Sequence, residues 1–500
     1  MPPPQSQSSQ STPVNLADNL PSNSPGYASE AIPLAPLSCD YHVDNQHPNT
    51  SDRNSGRSES DPFATIQHVA DLALPGQTVC VHQGIYPEQV IPANSGSESV
   101  GDINYIAYEN QEVILEGATI DLNGWGGIFH LDGKTHLRIS GFQIQNSTWF
   151  GIYVANSAYI TISNNSTDNT WASGIYVRDS AHILIDQNDI QRASRGGYQA
   201  DYPASRDCSD LQVQECLSLD SVTNFEVKNN AVHNGLGYYC GGEGISIKQS
   251  SSYGTIHHNQ VYDLPANYDP KIHQHGEVGI YIDAYGEHLY SLEVYNNISS
   301  APFAMAVSAE QGGIVENIRI YNNILYHAYG DGLEISGCCN GAEGIKKDIY
   351  IFNNTIHACG YGSQTAGGIT IRTQNPFNSN IRVDNNILNQ NFAWQIRDKS
   401  GIAQGSNNII YGTNDGYFYG DDYILLFPEF ISTDPLALDF RLTPHSPAID
   451  AAINPIGIDP DFDGNIQVLD FDYGGNLRPQ GSAYDIGAYE WSSNVSTSNR

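Results

Sequence analysis

The phrase ISNNS at residues 162–166 returns with small changes as DQNDI (186–190), VKNNA (227–231), HHNQV (257–261), YNNIS (295–299), YNNIL (321–325), FNNTI (352–356), DNNIL (384–388) and NNII (407–410). Each copy carries one asparagine in the same place: Asn165, Asn188, Asn230, Asn259, Asn297, Asn323, Asn354, Asn386 and Asn408. Each copy also closes a short β-branched strand, and most precede a glycine-led strand such as GIYV, GISI, GIYI, GLEI or GITI. The steps run from 22 residues (Asn386 to Asn408) to 42 residues (Asn188 to Asn230), which is one turn of a parallel β-helix with loops of variable length. Residues alike in phrase position then stack about 4.8 Å apart in neighbouring rungs.

A repeat over roughly half of 500 residues argues for one elongated all-β body rather than several globular domains. Long amphipathic helices are absent from the pattern. The net charge of −34 makes nucleic acid and anionic membranes poor partners. No apolar run is long enough to span a bilayer, and no hydrophobic signal segment follows Met1. Acidity, repeat type and cysteine usage nevertheless lead us to expect an extracellular or cell-surface protein, acting as a monomer. The eight cysteines (Cys39, Cys80, Cys208, Cys216, Cys240, Cys338, Cys339 and Cys359) allow some disulfides, and without a CxxC they give no anchor for zinc or redox chemistry.

Residues 1–36 are too polar to build a core and read as a disordered segment. From Asp61 the pattern predicts a short capping helix, with Asp61 as N-cap, Pro62 in the first turn, and Ile66, Val69, Ala70 and Leu72 on its apolar face. Strands follow in TVCVHQGIY, NYIAYE and VILEGATIDL, and the coils occupy 37–410 with larger insertions at 192–214, 263–276 and 337–347. The phrases DPFATIQ (61–67), PGQTV (75–79) and GIYPEQV (84–90) resemble the opening coil of right-handed parallel β-helix proteins, pectate-lyase-like enzymes among them. That resemblance implies a single-stranded right-handed solenoid. Residues 411–500 differ: SPAID (446–450), NLRPQ (476–480) and DIGAYEW (485–491) resemble a C-terminal segment found behind bacterial β-helix repeats, and we expect a cap or appended module over the last rung. Within it Asp459, Asp461, Asp463 and Asp470 have the spacing of a calcium loop, though an acidic turn explains the same residues.

Aligned on the glycine, the first and third positions of each strand are aliphatic, as in Ile175/Val177, Leu217/Leu219, Ile245/Ile247 and Ile280/Ile282, and face inward. The fourth position then faces outward and reads Ala155, Arg178, Asp220, Lys248, Asp283, Ser308, Ser336 and Arg372, so four consecutive rungs present Arg, Asp, Lys, Asp. The second position adds Tyr153, Tyr176, Tyr281 and Glu334, giving rings beside charges, as a polysaccharide groove requires. A plain ion-pair ladder is the simpler alternative. The long insertions, with Tyr198, Tyr202, Tyr238, Tyr239, Tyr268, His273 and His275, flank the same rungs and supply walls that a ladder does not need. His273 and His275 are candidate sugar contacts, and with Glu277 they have the right ligand types for a metal, although an exposed loop explains them equally well.

The stretch CGGEGISIKQSS (240–251), followed by Asn259, resembles the catalytic coil of polysaccharide lyase family 6, the alginate lyase and chondroitinase B group. The resemblance implies calcium at Glu243 and Lys248 as the base that starts β-elimination on an acidic polysaccharide. It departs from the family at Gly241, where a second Glu is expected, and at Asp283, where an Arg is expected. Asp220 and Asp283 beside Lys248 would hold the lysine protonated rather than lower its pKa. The same row supports a second class: Asp220 and Asp283, two rungs or about 9.6 Å apart, are near the upper separation for the acid and base of an inverting glycosidase. A third reading is a non-catalytic surface or adhesion protein. Serine-esterase and nucleotide-binding motifs are absent from the sequence.

Overall fold

The computed structural model describes residues 38–122, 124–197, 214–237, 242–265, 277–336, 343–362, 365–373, 375–412, 421–453 and 471–492. Within them the chain winds into three parallel sheets, which we call A, B and C. Sheet A has thirteen strands from Tyr41–Val43 to Ala403–Ser406, sheet B twelve from Gly84–Tyr86 to Ile409–Tyr411, and sheet C ten from Gly127–Asp132 to Ile396–Asp398. A full turn visits C, A and B in that order. Pairing is in register from rung to rung, as in Ile160↔Ile183 and Ile185↔Val227, so aliphatic side chains stack into one continuous core.

The asparagines explain why the coil repeats so strictly. Each is buried at the A–B corner, where its amide Nδ2 donates to the Oδ1 of the next asparagine: Asn165 to Asn188 at 3.1 Å, Asn259 to Asn297 at 3.0 Å, Asn386 to Asn408 at 3.1 Å, and likewise between. The backbone N–H of each donates to the same Oδ1, as from Asn259 to Asn297 at 3.0 Å. Corner backbone that leaves the β-ladder is thereby satisfied inside the core. The residue before each ladder asparagine adopts a left-handed conformation, with φ between 52° and 57° at Asn164, Asn229, Asn296 and Asn353. The doubled asparagine of the repeat therefore has two tasks, a left-handed corner and a ladder bond.

At the N-terminal end the helix spans Ile66–Ala70 and buries Ile66, Val69 and Ala70 in the core. Its N-cap is Thr65, which accepts from His68 N at 3.3 Å, not Asp61, whose carboxylate accepts from Ser55 N at 3.0 Å and Ser55 Oγ at 2.7 Å. The start is displaced because the Glu88 carboxylate, from another part of the coil, takes Ile66 N and Gln67 N at 2.9 and 2.8 Å. Leu72 lies beyond the helix and is exposed. A Cys39–Cys80 disulfide ties this end to sheet A.

Only part of the C-terminal segment lies over the last rung, where Asp421 and Ile424 bridge Ser406 and Ile409. Other described parts of it run along the flank: Phe430, Phe440, Leu442, Ala448, Tyr484 and Ile486 pack on Tyr321, Phe352, Ile387 and Ile409. It is pinned to the asparagine corner itself, through Asn353 Nδ2 to Asp485 O at 2.9 Å, Asn385 Nδ2 to Ile453 O at 2.9 Å and Asn407 Nδ2 to Ala451 O at 2.9 Å. No helix among the described residues is long and apolar enough to cross a membrane.

Candidate functional site

Sheet C carries the charged row in the expected register, Ala155↔Arg178↔Asp220↔Lys248↔Asp283↔Ser308↔Ser336. Its charges do not pair along the row. Arg178 Nε bonds Asp179 Oδ2 at 2.8 Å, and the Lys248 ammonium is ion-paired with Glu215. Among the described residues the row is thus no simple ion-pair ladder.

Glu215 belongs to a second row, one residue before the glycine position. The pairing Leu217↔Ile245 and the bond from Cys216 N to Glu243 O at 2.8 Å set Glu215 and Glu243 at equivalent places on adjacent rungs. Lys248 reaches back along its own strand to this row. Glu215 Oε2 also accepts from Ser218 Oγ at 2.8 Å, so both of its oxygens are engaged. Glu243 is different: its Oε2 is buried without a hydrogen-bond partner, as is the neighbouring Ser246 Oγ. Burial, reinforced by the Glu215 charge, pushes the Glu243 carboxyl up to about 7. Glu277, also near Glu243 and Glu215, is raised well above the carboxylate range by burial. Asp283 is 2% exposed and lifted to about 7 by burial and Glu310, and its Oδ1 accepts from Glu310 N at 3.2 Å. Burial alone would lower the Lys248 ammonium, but Glu215, Glu243 and Asp283 outweigh it and the net shift is upward. The ion pair with Glu215 and this upward shift favour the charged form of Lys248. Its side chain keeps 23% exposure, which leaves the cluster open to solvent on that side.

Toward the N-terminal rungs the face becomes aromatic. Phe150 and Tyr176 stack at 4.8 Å, Tyr153 and Tyr176 at 6.0 Å, and Trp125 lies 5.8 Å from both Phe150 and Tyr176. Tyr176 and Tyr281, expected as open platforms, are instead buried: Tyr176 donates its hydroxyl to Asp220 Oδ2 at 3.1 Å and Tyr281 to Glu310 Oε1 at 2.5 Å. They point outward, but Tyr176 is covered by Phe150, Tyr153 and Trp125, and both hydroxyls are bonded to carboxylates. The ring open to solvent is Trp125, 37% exposed, with the Arg178 guanidinium 5.6 Å from its centroid. Toward the C-terminal rungs Glu334 is also buried, and joins Asp331, Arg372 and Thr370: Arg372 bonds Asp331 Oδ2 at 2.5 Å and Glu334 Oε1 at 3.3 Å, while Thr370 Oγ1 donates to Asp331 Oδ1 at 2.6 Å. Arg397 lies over Trp394 at 4.3 Å. The face therefore runs from a Trp–Arg pair, through the acid cluster, to a second Trp–Arg pair.

Sequence reasoning missed Glu215 and Trp125. The signal for Glu215 was present, since ECLSLD (215–220) and EGISIK (243–248) are one phrase, Glu-x-aliphatic-Ser-aliphatic-charge. His273, His275, Tyr198, Tyr202, Tyr238, Tyr239 and Tyr268 lie outside the described residues, as do Cys208, Cys240, Cys338 and Cys339 and the acidic loop of Asp459, Asp461, Asp463 and Asp470. Calcium at Glu243 is a poor fit to the described residues: the carboxylate in register with it already holds an ammonium and a hydroxyl, and no group of three or more described ligands converges on a metal-binding arrangement.

With three parallel sheets, an internal asparagine ladder and a site on an outer face, the chain is a right-handed parallel β-helix. The family model "Right handed beta helix region" matches residues 104–261, and a second, "Disaggregatase related", matches 315–419. No curated protein sequence matches the chain. Among solved structures, XylC in complex with xylose is 13% identical, with 90% of this chain and 98% of that chain covered and a TM-score of 0.53. Pectate lyase Pel9A is 14% identical over 91% and 98%, with a TM-score of 0.47, and the polysaccharide lyase family alginate lyase AlyGC, as a mutant, is 14% identical over 73% and 53%, with a TM-score of 0.43. At these identities the likeness is one of fold.

Proposed function

We propose that the protein binds a polysaccharide along sheet C and cleaves it by hydrolysis, with Glu243 as general acid and Glu215 as the carboxylate partner. The observation that carries this reading is the contrast between the two glutamates. Glu215 is ion-paired with Lys248 and hydrogen-bonded by Ser218, whereas Glu243, one rung away and half-buried, has its Oε2 buried without a hydrogen-bond partner and its carboxyl lifted to about 7. One carboxyl is held by an ammonium and a hydroxyl and the other has an oxygen without a partner, the unlike surroundings that an acid and its carboxylate partner need. Glu243 protonates the glycosidic oxygen as the bond to the leaving sugar breaks, and Glu215 attacks the anomeric carbon to form a glycosyl ester. Glu243, now ionised, takes a proton from water, and that water opens the ester and regenerates Glu215. Lys248 and Ser218 hold the Glu215 carboxylate in place. Trp125 with Arg178 supplies a ring face and donors for a sugar on one side, and Arg397, seated over the buried Trp394, supplies donors on the other. XylC, which shares the fold, is described with xylose, consistent with a sugar ligand. A polymeric substrate implies action outside the cell or at its surface.

Elimination is the second reading, favoured by the CGGEGISIKQSS stretch, and there Lys248 would be the base. The ion pair with Glu215 opposes it. Incubation with a panel of neutral and acidic polysaccharides separates the readings. New reducing ends without an ultraviolet-absorbing unsaturated product, lost in Glu243→Gln and Glu215→Gln, support hydrolysis. An unsaturated product lost in Lys248→Ala assigns elimination. No product from any polymer overturns both and leaves an adhesion role.

A further inference from the structure

A different face carries a feature that the reaction does not use. In every rung of sheet A from Thr135–Ser140 onward to Ser379–Asp384, one residue bulges into the left-handed region: His136, Tyr159, His182, Asn224, Tyr253, Ser291, Asn317, Asp348 and Asn380, with φ between 51° and 58°. Asparagine, aspartate and serine suit this conformation, because their short polar side chains bond locally. Tyrosine is the residue least suited to it, yet Tyr159 and Tyr253 adopt it, and four of the first five rungs carry a ring at this place.

Those rings form a stack with a gap. His136 and Tyr159 lie 4.6 Å apart with planes 8° from parallel, and Tyr159 and His182 lie 4.4 Å apart at 3°. The next rung substitutes the small Asn224, and the one after restores a ring at Tyr253. The rungs of His182 and Tyr253 are therefore about 9.6 Å apart, twice the strand spacing, which leaves room for one flat ring. An open groove of about 500 Å³ runs past this gap, lined by His136, Tyr159, His182, Asn224, Glu226 and Tyr253 among others. Tyr159 and Tyr253 are each 49% exposed. The rim offers acceptors, Asp102 beside His136 and the Oε2 of Glu226, whose Oε1 is taken by Lys228 and His257, and the overall charge of −34 disfavours an anionic ligand.

We infer that this groove is a second, non-catalytic carbohydrate-binding site that takes a neutral polysaccharide, with one pyranose ring seated between His182 and Tyr253 over Asn224. Apolar sugar faces meet the rings, and hydroxyls meet Asn224 and Glu226. The site holds polymer against the protein while another stretch of chain occupies sheet C. It does not depend on which reaction sheet C performs.

The test is retardation of the full protein in native gels containing soluble xylan, glucomannan or starch, with polygalacturonate as the anionic control. The substitutions are to asparagine, which the same row already uses at Asn224, Asn317 and Asn380, so the left-handed backbone is kept. Tyr159→Asn/His182→Asn/Tyr253→Asn is expected to lose about tenfold or more in affinity for the retarding neutral polymer, with no fall in melting temperature. Tyr253→Asn alone removes one wall of the slot, leaves the three-ring stack intact, and is expected to weaken retention severalfold. Cleavage of the same polymers by the triple variant is measured alongside and is expected to match the parent, which separates failure of this site from failure of the sheet C reading. Retardation unchanged in the triple and single variants overturns the inference. So does a parent protein retarded by none of the neutral polymers. Unchanged retention with a lowered melting temperature would make the rings a stability stack and also overturn it.

Discussion

A carboxyl whose oxygen is held away from water should burden the fold that holds it, and Glu243 allows the burden to be worked out. Its carboxyl moves from 4.5 to about 7 on folding, chiefly through burial. For an acid with a raised folded-state pKa, the unfolded chain releases its proton first. The stability tied to the protonated form is fully present below the unfolded value and is lost as pH rises through the folded one. At about 1.4 kcal/mol per unit, the full penalty above pH 8 is about 3 kcal/mol. Glu243→Gln has the same shape and no charge to desolvate, so the variant should match the parent near pH 4 and exceed it by about 3 kcal/mol at pH 8 to 9. The assay is urea unfolding at pH 4, 6 and 9, read as midpoints at constant slope. Activity should move oppositely, absent in the variant and falling in the parent as pH passes about 7, where Glu243 gives up its proton. A variant whose advantage is the same at pH 4 and pH 9, or which is less stable at pH 9, refutes the reasoning.

Three further outcomes follow from the same contacts. Asn297→Ala removes the acceptor of Asn259 N and Nδ2 and the donor to Ile256 O, orphaning buried groups, and should cost about 2 to 5 kcal/mol with amide protection lost in flanking rungs; a loss below about 1 kcal/mol contradicts the ladder's role. Gly254→Ala places a Cβ 2.0 Å from Phe225 Cζ and should cost about 1 to 3 kcal/mol in denaturant unfolding, relieved by the compensating Phe225→Leu. Trp125→Ala should raise KM for polymer with kcat nearly unchanged, since the ring would bind sugar remote from the acid pair, and an equal fall in kcat would move Trp125 into the reaction itself.

The scaffold was legible because its constraint is local and repeats. From Asn165 to Asn408 each buried corner amide is satisfied by the asparagine of the next rung, so the sequence shows an asparagine at each of these turns, while the earlier turns place Val113 and Phe142 there. The register of Arg178, Asp220, Lys248 and Asp283 was legible for the same reason: the period of two along a strand fixes which side chains face outward. The period says nothing about residues beyond the strand. Glu215 and Glu243 lie one place before the glycine, where the chain is still turning, so their convergence with Lys248 was hidden although their shared phrase was visible. Facing outward is also not the same as being exposed. Tyr176 lies beneath Phe150, Tyr153 and Trp125, which come from other turns and an earlier loop. The helix start moved for a comparable reason, because Glu88 reaches Ile66 and Gln67 across more than twenty residues.

A β-helix offers its site only certain spacings, and that limits the chemistry it can perform. Groups in one row stand one rung apart, about 4.8 Å, or two, about 9.6 Å, before side chains adjust. Retaining glycosidases hold their carboxyls about 5 to 5.5 Å apart, and inverting ones about 6.5 to 9.5 Å. Glu215 and Glu243 on adjacent rungs match the first spacing, while Asp220 and Asp283, with Lys248 between them, match the upper limit of the second. The two pairs thus predict opposite products. If Glu215 and Glu243 do the work, proton NMR of fresh hydrolysate shows the anomer of the substrate, and Glu243→Gln loses far more activity on unactivated glycosides than on those with good leaving groups, since only the former need its proton. If the first product is the opposite anomer, the row of Asp220 and Asp283 carries the reaction, and the contrast between the two glutamates has been given the wrong meaning.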